Sequence, residues 1–361
     1  MNVLAVGHIE SLTLNVLRCL ASAGHRGYVM AAGEFRAARG SRHCAGLFSV
    51  AASEYSRPGE ETLSRMKDFC GKNNIEFVVP CDTMSIFFVC QVRDRIERYC
   101  RLFPVPPMQT LETMNDKWSF SRFLEARGLP QPRTRLLETA SGVPALGLAY
   151  PVVVKPLDQG DGIGVKKIDS VEDLTAHVLA PGRFNRPPLV AQEFVPGHDI
   201  DMNLLAVEGR LLAWNIQESA GPGVIRFVEN GAVAELGRRL VEASGFTGVA
   251  NLDMRLDDRD GSCRFIECNP RFWGSLRASL WDGINFVETG LLAAQGKPLP
   301  APVRRGIRYE VPSKALAAAR SGDFSPLGSF SRANWKDLGL LASDPVPFCR
   351  LAMKRLREKR R

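Results

Sequence analysis

Short apolar runs alternate with stretches of helical periodicity over the first hundred residues. Val3 to Val6 is apolar and stops at Gly7. Leu12 to Ala23 repeats apolar positions at helical spacing and closes at Gly24, a residue suited to end a helix. Gly27 to Ala32 and Ile75 to Pro80 read as strands, and Pro58 to Asn73 and Ser85 to Tyr99 as helices. This rhythm predicts a parallel sheet with helices on its faces.

The pattern changes after the proline-rich stretch Leu102 to Pro107. A helix is predicted through WSFSRFLEARG, following Asn115, Asp116 and Lys117 and ending at Gly128 and Pro130. Pro151 to Pro156 is strand-like, Asp158 to Gly164 reads D-Q-G-D-G-I-G, and Val165 to Ile168 resumes the strand pattern. Two strands joined by such a loop resemble a hairpin over a ligand more than a loop that opens a helix. Leu189 to Phe194 is a further strand. Asp201 to Glu208 and Arg210 to Ile216 predict an antiparallel pair, and Gly248 to Leu256 and Cys263 to Glu267 another, turning at Asp257 to Gly261. Helices are expected at Ala232 to Ser244 and Ile284 to Ala294. Within Asn215 to Phe227, Gly221, Pro222 and Gly223 predict an irregular loop, and from Pro300 the pattern weakens.

The chain has 361 residues, enough for two or three domains. Its 45% hydrophobic and 24% charged residues suit a folded globular protein. The formal charge is +8, but Arg350 to Arg361 alone holds seven basic residues against Glu358, leaving the rest close to neutral. A broad nucleic-acid face is therefore not expected. The tail reads either as a solvated helix or as a contact for an acidic surface, RNA or an anionic membrane. Met84 to Val92 is far short of the roughly 20 apolar residues that cross a bilayer. The N-terminus opens directly on a strand-like run, without the pattern of a signal peptide. The nine cysteines form no CxxC pair and predict reduced thiols, hence a cytoplasmic setting.

The opening loop, Gly7 to Leu12, lacks the later glycines of a dinucleotide fingerprint, so a substrate crevice at the strand ends is the better reading, with His8, Glu10 and Ser11 as lining candidates. Three features carry chemistry. Lys155 ends an apolar strand just before the glycine loop, where an ammonium can reach phosphates and where Gly160, Gly162 and Gly164 let backbone amides approach; Lys117 is a second candidate cation. Taken alone, that loop reads better as a surface hairpin, and the apolar strand ending in Lys-Pro just before it brings the two readings level. Asp253, Glu267 and Asn269 offer two carboxylates and an amide oxygen, a set suited to Mg²⁺, and alternation puts Glu267 and Asn269 on one face. Arg271 follows closely and can steady charge on a transferring phosphoryl group. The alternative for Arg271 and Arg277 is a surface ion pair.

With these motifs the chain resembles the ATP-grasp carboxylate ligases, over about residues 1–300 and most strongly over Asn115 to Gly274. The resemblance implies an α/β and α+β architecture. It divides the chain into an N-terminal parallel-sheet αβ domain (1–105), an ATP-grasp fold of two subdomains (106–188 and 189–300) and a C-terminal extension (301–361). It implies that Lys117 and Lys155 hold nucleotide phosphates under the Asp158 to Gly164 loop. Gln192, Glu193, Phe194 and Val195 correspond to the adenine hinge, Asp199 or Asp201 to the ribose acid, and Asp253, Glu267 and Asn269 to the magnesium ligands. Arg271, with Lys117 and Lys155, takes the catalytic role. Gln217, Arg226 and Arg277 are weaker substrate candidates, and Arg308 and Glu310 weaker still. The resemblance further implies ATP with Mg²⁺ or Mn²⁺, a carboxylate and an amine (amino acids among them) as substrates, and compatibility with a homodimer. A nucleotide-binding module without turnover is the alternative, against which the full set of site residues speaks.

Overall fold

The structure, a computed structural model, describes residues 1–157, 160, 162–301, 303–312, 315, 322, 328 and 330–358. β1 (Asn2–Gly7), β2 (Arg26–Ala32), β3 (Cys44–Val50), β4 (Phe77–Pro80) and β5 (Arg101–Leu102) form a parallel sheet in the order β3-β2-β1-β4-β5. Successive side chains of a strand point to opposite faces. Val3 and Ala5 therefore enter one core, covered by helix Glu10–Ser22, while Leu4 and Val6 enter another, covered by helix Glu60–Lys72. The sequence reading lacks β3, whose Gly46 and Ser49 weaken its apolar signature. The expected helix over Ser85 to Tyr99 is instead two, Thr83–Gln91 and Arg93–Ile96, separated at Val92.

β6 (Thr134–Leu137), β7 (Val152–Pro156), β8 (Lys166–Ile168) and β9 (Leu189–Glu193) form an antiparallel sheet in the order β6-β9-β7-β8, with helix Val171–Leu179 packed on it. The expected division after residue 188 thus separates β9 from the strands to which it is hydrogen-bonded. The expected hairpin of two strands around the glycine loop is β7–β8, with Val152 opposite Ile168. Asp158, Gln159 and Asp161 of that loop lie outside the described residues.

β10 (Gly197–Val207), β11 (Arg210–Ser219), β12 (Val224–Val228), β13 (Gly248–Asp257), β14 (Cys263–Asn269) and β15 (Arg308–Glu310) form an antiparallel sheet in the order β14-β13-β10-β11-β12-β15. One face buries Ile200, Met202, Leu204, Leu252 and Met254 against helices Met108–Asn115, Lys117–Ala126 and Gly231–Ser244. The two helices before residue 130 therefore share a core with this sheet and not with the four-stranded one. On the other face Leu205, Ala213 and Val249 join Phe272, Trp273 and Phe286 in the first core of the parallel sheet, which joins the two domains. Asn215 to Phe227 is not an irregular loop. It contains the β11–β12 hairpin, whose turn uses Gly221 (φ 128°) and Gly223 (φ 80°), backbone angles that glycine adopts without strain.

The region where the sequence pattern weakens contains helices Arg332–Ser343 and Pro345–Glu358, held by buried charge more than by apolar periodicity. Asp337, fully buried, accepts from Tyr309 Oη (2.7 Å), Trp281 Nε1 (3.1 Å) and Arg277 Nη2 (3.1 Å). Asp344 accepts from Ser41 Oγ (2.7 Å), the Arg42 amide (2.9 Å) and Arg18 Nη2 (3.4 Å). The C-terminal extension so bridges the first domain and the six-stranded sheet. Among the basic tail residues, Lys359, Arg360 and Arg361 lie outside the described residues. Removing one partner of such a network leaves the others buried without compensation. Asp337→Ala is expected to lower unfolding free energy by about 3–5 kcal/mol in urea titrations. A loss below about 1 kcal/mol, the range of exposed pairs, would count against the clasp.

Candidate active site

The two lysines and the two carboxylates far from them in sequence meet in one cleft. Asp116 caps helix Lys117–Ala126 by accepting from the Ser119 amide (2.7 Å), which fixes Lys117 at the helix start. Its Nζ lies 3.3 Å from Glu267 Oε2 on β14. Between Asp253 and Met254 the β13–β14 register slips, so Glu267 and Phe265 face successive residues of β13 and Ile266 is the extra residue of a bulge. Lys155 Nζ approaches the Ile266 carbonyl (3.5 Å), an oxygen the bulge withdraws from regular pairing.

Burial pushes the Lys155 ammonium down to about 8; Glu267 and Asp253 oppose that shift, and Lys117 adds to it. Asp253 is held well above the usual carboxylate range by burial, then by Asp201 and Glu267 beside it. Asp201 is pushed up to about 6, mainly by burial, against a stabilising bond from Gln217. Burial also acts upward on Glu267, but the attraction of Lys117 and Lys155 outweighs it, and Glu267 sits below its ordinary value. Three carboxylates thus share the cleft with two ammonium groups.

Asn269 Nδ2 lies 3.3 Å from Asp253 Oδ2, 3.4 Å from Glu267 Oε1 and 3.5 Å from Asn251 Oδ1. Oxygens converging on a positive partial charge are what a hard cation requires, so the donor set of two carboxylates and an amide fits Mg²⁺. Among the described residues no group of three or more His, Cys, Asp or Glu side chains is placed to hold a metal ion. Arg271 Nη2 faces Asn269 Oδ1 (3.4 Å), and a Cβ added to Gly160 would lie 3.8 Å from the same nitrogen. Gly160 therefore lies beside the arginine. Gly162 (φ 73°) and Gly164 (φ 75°) hold left-handed backbone, and at Gly164 a Cβ would also meet Pro156 and Phe184 within 3 Å.

The hinge residues join the two antiparallel sheets. Gln192 donates to Thr134 Oγ1 (3.1 Å), Glu193 accepts from the Ala149 amide (2.9 Å), and the Val195 carbonyl accepts from Arg255 Nε (2.7 Å). Lys167 and Arg255 both stack near the Phe194 ring, at 4.8 Å and 5.3 Å. The two ribose candidates separate: Asp199 is exposed and bound to Arg255 (2.6 Å), whereas Asp201 lies half-buried in the carboxylate row.

The weaker candidates divide as well. Gln217 is buried near the site, donating to Asp201 Oδ2 (3.0 Å) and accepting from Ser275 Oγ (2.9 Å). Arg226 is an exposed side chain of β12 paired with Glu218. Arg277 is committed to Asp337 and belongs to the C-terminal clasp rather than to the cleft. Arg308 and Glu310 pair with each other on β15 (3.4 Å). Sequence reasoning passes over Asn203 and Asn251, although each stands two residues from a site candidate within a predicted strand, a spacing that puts them on the same face; Asn215 is missed because Gln217, two residues on, reads as part of a loop.

A family described as "ATP-grasp in the biosynthetic pathway with Ter operon" matches residues 185–315, and the C-terminal family of D-Ala–D-Ala ligases matches 138–220. Carboxyaminoimidazole ribonucleotide synthase of Aspergillus clavatus, solved with ATP, superposes with a TM-score of 0.67 at 17% identity over 89% of this chain and 85% of that one. The chain has the ATP-grasp fold. Among relatives in sequence, the D-aspartate ligase of Enterococcus faecium is 24% identical over 63% of this chain and 61% of its own length. The arginine-specific carbamoyl phosphate synthase large chain of Eremothecium gossypii is 28% identical over 54% of this chain and 19% of its own. The chain thus spans between a fifth and three fifths of these two relatives. No helix among the described residues is long and apolar enough to cross a membrane.

Lys155 yields a pH test. Folded, it sheds its proton near pH 8; unfolded, near about 10.4. Between those values the unfolded chain binds more protons, so this residue makes stability rise with pH, and below the window its buried charge costs stability. The unfolding free energy of the wild type, relative to Lys155→Met, is expected to climb by about 1–3 kcal/mol between about pH 7 and about pH 10. A difference that stays flat across urea titrations would argue against a buried ammonium.

Proposed function

We propose that this protein is an ATP-dependent carboxylate–amine ligase. The observation that carries this reading is the convergence of Lys117 and Lys155 with Asp253, Glu267, Asn269 and Arg271 on one cleft. A substrate carboxylate oxygen attacks the γ-phosphorus of ATP, the bond to the β,γ-bridging oxygen breaks, and ADP leaves with the formation of an acyl phosphate. An amine then attacks the acyl carbon, phosphate departs, and the nitrogen loses a proton, leaving an amide. Lys117 and Lys155 hold phosphate oxygens, and Arg271 offsets charge on the phosphoryl group in transfer. Asp253, Glu267 and Asn269 would hold magnesium, which neutralises phosphate charge when bound; Mn²⁺, with similar oxygen preference, is a proposed substitute. The glycine loop limits access of water to the activated acid.

Relatives named as D-aspartate ligase and D-alanine–D-alanine ligase support an amino acid as one substrate. The nine unpaired thiols support a reducing, cytoplasmic setting. Pools of acids and amines supplied with magnesium and ATP should reveal a pair that stimulates ADP release, with a product lighter by one water than the sum of the two. Nucleotide binding without stimulated release across broad pools would favour a module without turnover. Glu267→Gln is expected to lower turnover about 10²–10³-fold with little change in melting temperature. Unchanged turnover at saturating magnesium would remove Glu267 from the ligand set.

A further inference from the structure

Four adjacent strands each carry two polar side chains spaced by two residues. The registers place Asn269, Asn251, Asn203 and Asn215 directly opposite one another across β14, β13, β10 and β11. The neighbouring row is Glu267, Asp253, Asp201 and Gln217. The second row is the carboxylate line of the cleft. The first is an amide ladder that runs from the cleft into the interior, where Asn203 and Asn215 are fully buried.

We infer that Asn251 and Asn203 are positioning residues that fix which atom of the Asn269 amide faces the reactants. An amide's oxygen and NH2 have nearly the same shape, so packing alone does not choose between them; a donor–acceptor sequence does. The ladder has one polarity. Asn269 Nδ2 donates to Asn251 Oδ1 (3.5 Å), Asn251 Nδ2 to Asn203 Oδ1 (3.0 Å), and Asn203 Nδ2 to Asn215 Oδ1 (3.0 Å) and Gln217 Oε1 (3.2 Å). Its direction is anchored at Asp201. That carboxylate only accepts, so Gln217 must turn its NH2 toward it (3.0 Å) and its Oε1 toward Asn203, where Ser275 Oγ also donates (2.9 Å). Asn203 must then present NH2 to Gln217 and oxygen to Asn251, and Asn251 must present oxygen to Asn269. The Asn269 NH2 is committed to Asn251 and to the carboxylates of Asp253 and Glu267, and its Oδ1 is left facing Arg271. Reversal at Asn251 or Asn203 would set oxygen against oxygen where the side chains are buried from water.

Asn203 is one strand beyond Asn251 and acts only through its neighbours. The inference rests on the magnesium–nucleotide reading of the cleft. The test is calorimetric binding of ADP to the full chain with and without magnesium, read as the gain in affinity that magnesium confers. Asn203→Leu removes the acceptor for Asn251. It is expected to reduce that gain about 10–100-fold, with ADP affinity in the absence of magnesium held within about twofold. Asn203→Asp, protonated in this buried place, keeps an acceptor toward Asn251 and an O–H donor toward Gln217, so it is expected to retain the gain within about threefold. A purely structural role predicts the opposite order, because a buried carboxyl group disrupts a core more than leucine does. If Asn203→Leu does not fold, as judged by its melting transition, Asn203→Ala takes its place. An unchanged gain in the apolar variant, or a larger loss in Asn203→Asp, would overturn the inference. A wild-type chain without any magnesium-dependent gain would overturn the reading of the cleft, and the ladder's role with it.

Discussion

Asp201, Asp253 and Glu267 sit on neighbouring strands within a cleft that also buries Lys117 and Lys155, and their mutual repulsion is the constraint on which the site depends. Carboxylates removed from water demand positive charge or protons. Glu267, facing both lysines, is held ionised, whereas Asp253 lies deeper in the row and is pushed upward. Lys155 is itself only partly compensated, as its lowered value shows. A cleft balanced in this way favours a ligand that brings anionic phosphates to the lysines and a cation to the acids at the same time.

Two features of the backbone make that balance geometric. The bulge at Ile266 lets Glu267 face Asp253 while offering a carbonyl to Lys155. The β7–β8 hairpin brings Lys155 from a different sheet, so the site exists only where two subdomains meet. Rigidity comes from farther away. The core shared by the parallel sheet and the six-stranded sheet, together with Asp337 and Asp344 of the C-terminal helices, binds the first domain to the acidic half of the cleft.

Much of this was legible before any coordinates. The alternation of strands and helices in the first hundred residues, the hairpin flanking the glycine loop, and the antiparallel pairs at Asp201–Ile216 and Gly248–Glu267 all have local signatures: short apolar runs, turn residues and helix ends. Lys155 stood out at the end of an apolar strand beside the glycine loop, and Glu267, Asn269 and Arg271 as an unusually dense polar run, with Asp253 joined to them across the predicted turn. Arg277 carried the same chemistry as Arg271, yet one turns to the cleft and the other to Asp337; nothing within a few residues of either tells them apart.

The sequence by itself determined residue type and period: which strands have a polar face, where glycine permits left-handed backbone, and which side chains have the chemistry to hold phosphate or a cation. Tertiary structure alone decided register and company. Asn203, Asn251 and Asn269 are separated by dozens of residues or more than a turn of chain, and become one ladder only because β10, β13 and β14 pair in a particular register. The physical reason is that propensity and periodicity act between near neighbours in the chain, whereas electrostatic balance and amide polarity are set by groups that only folding brings within a few ångströms.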